Sequence, residues 1–170
     1  VNVGLRHVLT ICDKSKDYVL IINDDVILSN KYIESVYDSI EKKSNVVLGT
    51  CCLDQNTNLT LRVAIRLNRL KARHIYLYQN IDLSKIRDEY IDSDVLTGKG
   101  TVFPLFILDQ IGIYNEEKLP HYRADHELVW RAKRNGFKVY ASTKMQLRTL
   151  SDQKIANGKE TFLSNVKFLY

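Results

Sequence analysis

Residues 18–25 read Tyr18-Val19-Leu20-Ile21-Ile22-Asn23-Asp24-Asp25, five apolar residues followed by an amide and two carboxylates. The apolar run is too short for a helix and is rich in β-branched side chains. It does not alternate with polar residues, so it reads as a strand buried on both faces, the pattern of a parallel sheet covered by helices. In open α/β sheets, ligands bind beyond the carboxyl ends of strands, and that is where Asn23, Asp24 and Asp25 stand. Adjacent carboxylates repel unless a cation or solvent screens them. Hard oxygen donors suit Mg2+ or Mn2+, which are commonly shared with substrate phosphates. The residues by themselves leave a second reading open, a turn that caps the next helix.

Outward from this strand, the chain alternates helical and strand patterns. Upstream, residues 3–12 place Leu5, Val8, Leu9 and Ile11 at helical spacing. Downstream, Asn30 is placed to cap a helix running to about Lys43, with Tyr32, Ile33, Val36, Tyr37 and Ile40 on one face. Residues 45–52 read as a second buried strand, and residues 59–67 alternate as one half-exposed strand. A Gly98-Lys99-Gly100 turn follows, then a short helix from Pro104 to Ile111, stopped by Gly112. A helix over 125–135 ends at Asn135-Gly136, with Leu128, Val129 and Ala132 on its apolar face. Phe137, Val139 and Ala141 then alternate as a strand, and Phe162, Val166 and Leu169 mark a last helix over 159–170. This order predicts an α/β domain with a mostly parallel central sheet flanked by helices. With no linker, repeat or low-complexity tract, residues 1–170 read as one unit.

The second chemical constellation is His121-Tyr122-Arg123-Ala124-Asp125-His126-Glu127-Leu128-Val129-Trp130-Arg131. Asp125 stands at a helix start, where the helix dipole favours negative charge. A carboxylate in a crevice can take a proton from a hydroxyl within hydrogen-bond reach. Arg131 is one i, i+4 step from Glu127 and suited to pair with it. Here too the residues leave a plain alternative, a capping Asp and a surface ion pair. Trp130 reads as core or, alternatively, as a stacking platform for an acceptor, and His121 and His126 flank Asp125 without zinc-ligand spacing.

The two constellations, in this order and about one hundred residues apart, resemble the family 2 glycosyltransferases of the GT-A fold. In that family a buried strand ends in an Asp-x-Asp-like motif, and a Glu-Asp-x-x-Leu-x-x-Arg-x-x-x-x-Gly-Tyr/Phe segment follows later. This sequence has Asp125-x-x-Leu128-x-x-Arg131-x-x-x-x-Gly136-Phe137. Thr97-Gly98-Lys99-Gly100-Thr101, Gly112-Ile113-Tyr114-Asn115-Glu116 and the opening Asn2-Val3-Gly4-Leu5 are similar to further family segments. The likeness covers roughly residues 2–141.

The resemblance implies a metal-dependent inverting transfer of a sugar from a nucleoside-diphosphate sugar to an acceptor hydroxyl. Asp125 would be the catalytic base, and Asp25 would ligate Mg2+ or Mn2+ with the donor diphosphate. Asn23, Asp24, Gly98, Lys99, His121 and Arg131 would line the donor and acceptor pockets. The implied partners are a nucleotide-sugar donor and a glycan or lipid-linked acceptor, in surface glycan or polysaccharide synthesis. The sequence departs from the pattern at Ala124, where the family has Glu, and at Asn23, and it has no matching His near Lys144–Thr149. The family's first β-α-β segment has no counterpart, so the chain is expected to be the carboxyl-terminal two-thirds of the catalytic domain. Two alternatives stay open at this level: a non-catalytic GT-A-like module that binds glycan or a partner, and a metal-dependent phosphatase or nucleotidyltransferase.

Composition narrows the class further. The net charge is +5, and no nucleic-acid-binding signature is present. Arg62, Arg66, Arg69, Lys71 and Arg73 form the densest basic stretch. It reads either as a solvated face or as a patch for an anionic substrate or a peripheral contact with phospholipid. No apolar run approaches the ~20 residues of a membrane span. Cys12, Cys51 and Cys52 make a poor disulfide framework, which fits a reducing, cytoplasmic setting.

Overall fold

The computed structural model describes residues 1–68, 70–71, 73–119 and 123–150. His121 and the helix expected over 159–170 lie outside the described residues. Helix α1 spans Asn2–Ile11 and leads to strand β1, Tyr18–Ile21; β2 is Ile27–Leu28, α2 is Tyr32–Lys42 and β3 is Val47–Asp54. Three short strands follow, β4 (Thr60–Arg62), β5 (Ala64–Asn68) and β6 (Arg73–Leu77), then β7 at Tyr90–Asp92. The chain continues through β8 (Thr101–Pro104), α3 (Leu105–Ile111), α4 (Ala124–Arg134) and β9 (Val139–Thr149).

The main sheet runs β1-β8-β3-β9-β2, with β4 added beside β3 and β7 beside β9. Strands β1, β3 and β9 point the same way, and β3 pairs with β9 in parallel. The sheet is nevertheless mixed where a mostly parallel one is expected. Strand β8 enters between β1 and β3 in the opposite direction, and β2, β4 and β7 also pair antiparallel. A parallel neighbour needs a long crossover connection. β7, antiparallel to β9, already runs in the direction of β8, so the 93–100 connection delivers β8 opposed to its neighbours β1 and β3.

Period-2 alternation along the strands feeds two cores, one on each face. Val19, Ile21, Val47, Cys51, Phe103, Val139 and Ala141 point to one face, which Leu5 of α1, Leu105 and Leu108 of α3, and Leu128 and Ala132 of α4 cover. Tyr18, Leu20, Leu48, Cys52, Val102, Met145 and Leu147 point to the other, covered by Tyr32 and Val36 of α2. The continuous apolar run of β1 therefore does serve both faces. Its residues are mostly half-buried, because β1 ends the strand order.

Two local expectations change. Residue Lys31, with no side-chain cap, precedes α2 in place of Asn30, and Tyr32 N–H donates to the Ser29 carbonyl at 3.0 Å. Tyr32, Val36 and Ile40 form the buried row of α2, while Ile33 and Tyr37 face solvent one position round the helix. The 59–67 stretch is two strands broken at Val63: β4 pairs with β3, and β5 turns away to form a hairpin with β6. Trp130 packs with Ile65 and Val95 beside that hairpin, as a core residue. No helix among the described residues is long and apolar enough to cross a membrane.

Candidate active site

Sheet register fixes which segments share one end of the molecule. Ile21 pairs with Thr101, so the residues after β1 and those before β8 lie at the same end. β9 runs parallel to β3 and brings Thr149 to that end as well. The segment 23–25, the loop 97–100, the start of α4 and the end of β9 therefore converge.

The loop Thr97-Gly98-Lys99-Gly100-Thr101 is fastened by a different element at almost every residue. Gly98 N–H donates to Asp125 Oδ2 at 2.8 Å. Lys99 Nζ donates to Asp25 Oδ2 at 2.6 Å and to Thr149 Oγ1 at 2.9 Å. The Thr149 hydroxyl in turn donates to the Asp25 carbonyl at 3.0 Å. Gly100 N–H donates to the Ile21 carbonyl at 3.0 Å. The Gly100 carbonyl accepts from Thr50 Oγ1 at 2.7 Å, and the Thr101 hydroxyl closes the loop onto the Thr97 carbonyl at 2.6 Å.

Glycine is needed at one of these positions and eases close packing at another. Gly100 has φ +81°, a left-handed conformation that disfavours side chains. Gly98 lets Asn23 approach, since a Cβ there would sit 3.1 Å from Asn23 Oδ1 and 3.8 Å from Asp125 Cβ. Asn23, Gly98 and Asp125 are thereby in one place, and Lys99 joins them to Asp25. Asp24 is exposed beside Asp25.

Asp125 lies in the first turn of α4, where its Oδ1 accepts the His126 N–H at 2.9 Å. Each carboxylate oxygen thus takes one backbone donor and keeps a further acceptor site for a hydroxyl. Arg123, which precedes the helix, holds a left-handed backbone with φ +64°. The ring of His126 meets His74 edge-on, with centroids 5.1 Å apart. Desolvation pulls the His126 pKa down to about 4, opposed by the Asp125 charge and assisted by His74, so the imidazole is neutral near pH 7. Tyr114 is held above the usual phenol range by burial first and the charge of Asp125 second. Beneath the loop, burial pushes the Cys52 thiol up to about 11, against the pull of Arg62 and Lys99.

Arg131 faces inward along α4, and four of its five guanidinium N–H donors are spent on the protein. It bonds Glu127 bidentately at 2.9 and 2.7 Å, and donates to the Ile111 and Ile113 carbonyls at 2.6 and 2.8 Å. It clamps the end of α3 onto α4. Thr149 is the member of the site that sequence reading passed over. Its signal was the alternation of Met145, Leu147 and Thr149, which puts a polar residue on a buried row at a strand's carboxyl end.

The residues fit a divalent ion only in one manner. Among the described residues there is no group of three or more His, Cys, Asp or Glu side chains that could cage an ion. Asp25 is half exposed, and its Oδ1 has no partner among the described residues. One free carboxylate oxygen suits an ion whose remaining ligands are substrate phosphates and water, the usual habit of Mg2+.

No protein-family model matches the sequence, and no curated protein matches it. Among solved structures, the crystal structure of GalNAc-T7 with UDP, GalNAc and Mn2+ is similar, with a TM-score of 0.60 at 10% sequence identity. The alignment covers 88% of this chain, and this chain spans 29% of that one. At such low identity the likeness speaks to architecture alone. The chain has a GT-A-like α/β fold, a central sheet flanked by helices.

Proposed function

We propose that the protein is a glycosyltransferase that uses a nucleoside-diphosphate sugar, inverts the anomeric centre and needs a divalent ion. The observation that carries this reading is the bonding of two consecutive residues to the two carboxylates, Gly98 to Asp125 and Lys99 to Asp25. Asp125 takes the proton of the acceptor hydroxyl as its oxygen bonds to the anomeric carbon. The bond from that carbon to the diphosphate oxygen breaks, and the nucleoside diphosphate leaves with the electron pair. Asp25, with the phosphates, would hold the ion, which when bound neutralises the charge developing on the leaving group. Asn23 and Gly98 border the space between, and Asp24 lies on its open rim. Arg131 supports the site by holding α3 against α4.

The fold likeness supports the nucleotide-sugar class, since the similar structure contains UDP, GalNAc and Mn2+. A glycan or lipid-linked acceptor of surface polysaccharide synthesis is the acceptor class we propose, and residues 1–170 would be part of a larger catalytic domain.

The test is a screen of nucleotide-sugar hydrolysis and transfer with Mn2+, using the full-length parent protein and its Asp125→Asn variant. Asparagine keeps the shape and removes the base, so turnover should drop by about 100- to 10,000-fold. Unchanged turnover in the variant would remove Asp125 from its role. No turnover of any nucleotide sugar by the unsubstituted full-length protein would sink the reading as a whole.

A further inference from the structure

Lys99 carries a charge in a place where lysine is seldom found. Its side chain is only 15% exposed, whereas lysine heads usually stand in water. Two of its three ammonium N–H groups are committed, to Asp25 and Thr149, and the third has no partner among the described residues. Asp25 shows the complementary pattern, with Oδ2 taken by Lys99 and Oδ1 without a partner. One free N–H donor and one free carboxylate oxygen therefore stand side by side, held by Thr149 from β9 and by the fastened loop 97–101.

The consequences for a cation and for an anion are opposite. A divalent ion arriving alone at Oδ1 meets an ammonium already bonded to the same carboxylate, and like charges at that range repel strongly in a half-buried site. A diphosphate arriving alone finds an N–H donor and a positive charge, the role that lysine fills as a compact phosphate ligand. A diphosphate carrying its own ion brings enough negative charge to satisfy both.

We propose that Lys99 is a built-in counter-cation that closes Asp25 to a free divalent ion and turns to the donor diphosphate, so that the ion enters only together with the diphosphate. This rests on the reading of the site as a nucleotide-sugar pocket. It adds an order of binding that Asp25 alone would not impose.

Binding measurements on the whole chain test it without relying on turnover. Uptake of Mn2+ alone is followed by loss of the free-ion electron paramagnetic resonance signal. Inorganic pyrophosphate is titrated calorimetrically in the presence of EDTA. In Lys99→Met the arm stays and the charge goes. Mn2+ should then bind at least about ten-fold tighter than in the unsubstituted protein, a factor worth ~1.4 kcal/mol, and pyrophosphate at least about ten-fold weaker. Adding Asp25→Asn to Lys99→Met should abolish the gained Mn2+ uptake. Lys99→Arg keeps the charge and should still exclude Mn2+, which guards against a merely misfolded Lys99→Met. Equal Mn2+ affinity in the unsubstituted protein and Lys99→Met would overturn the proposal, as would unchanged pyrophosphate affinity. Absence of transfer from any nucleotide sugar would instead overturn the functional reading while leaving the ion-exclusion result in place.

Discussion

Replacing Gly100 by alanine should destabilise the protein by about 2–5 kcal/mol. The estimate adds two costs. A left-handed residue other than glycine costs ~1–2 kcal/mol, and Gly100 sits at φ +81°. The added Cβ would also lie 2.5 Å from both Thr50 Oγ1 and the Tyr32 hydroxyl, closer than real Cβ contacts come. Those hydroxyls are bonded to each other at 2.7 Å, and Tyr32 is fully buried. Thr50 gives its proton to the Gly100 carbonyl, so Tyr32 donates to Thr50. Burial raises the Tyr32 phenol pKa to about 12 and leaves it no water to turn to. Displacing such a pair strands buried polar atoms at ~1–3 kcal/mol. Against a typical stability of ~5–15 kcal/mol, the loss is large. Urea denaturation reads it as a lower midpoint at unchanged slope. Thr50→Ala removes one of the two hydroxyls in the way, so the double variant should be less destabilised than the sum of the two single ones. A loss below about 1 kcal/mol, the range of an ordinary substitution, or strict additivity in the double variant, would refute the reasoning.

Arg131→Lys should cost about 2–4 kcal/mol, because lysine cannot serve Glu127 and two carbonyls at once. Pyrophosphate affinity, measured calorimetrically, should stay unchanged, and a loss there would return Arg131 to the binding pocket. Acid should weaken the fold through His126, whose folded pKa of about 4 lies below its ordinary 6.5. The unfolded chain then takes the proton first. Stability is full above pH 6.5 and falls on acidification toward about 4, by about 3 kcal/mol in all. Thermal melts between pH 7 and about 5, before most carboxylates titrate, should show this slope in the parent and lose it in His126→Gln; equal slopes would exclude His126 as its source.

Local pattern was enough for α1, α3 and α4, because each has an apolar stripe and a clear end. Leu128, Val129 and Ala132 define the buried face of α4, and Asn135-Gly136 ends it. The same logic misled at Ile33 and Tyr37, since a five-residue stripe on α2 is wider than the sheet it covers. Non-local facts were out of reach. The reversal of β8 depends on how the 93–100 loop travels, and no residue in β8 encodes its direction. The break at Val63 appears only once β3 and β6 compete for neighbouring residues of one alternating stretch. At the site, residue type pointed to Asn23, Asp25, Gly98, Lys99 and Asp125, whose meeting requires the register of β1 with β8. Thr149 carried no chemical flag, because a threonine becomes a site residue only through the lysine and carbonyl it touches.

The spacing of the two carboxylates follows from the loop between them. Consecutive Cα atoms are about 3.8 Å apart, so Gly98 and Lys99 hold their partners from nearly the same point in the chain. One is held by a main-chain N–H and the other by the far end of a lysine side chain. A glycine at 98 brings Asp125 close to the backbone, while the lysine arm at 99 keeps Asp25 at arm's length. Exchanging the two residue types would bring both carboxylates to the wrong depth. The order Gly-Lys, rather than the mere presence of a flexible loop, therefore sets how far apart the two carboxylates are held; under the proposed function, the sugar would lie between them. Because Ile21, Thr50, Asp125 and Thr149 fix that loop from four different segments, the separation is set before any ligand arrives, as preorganised sites require.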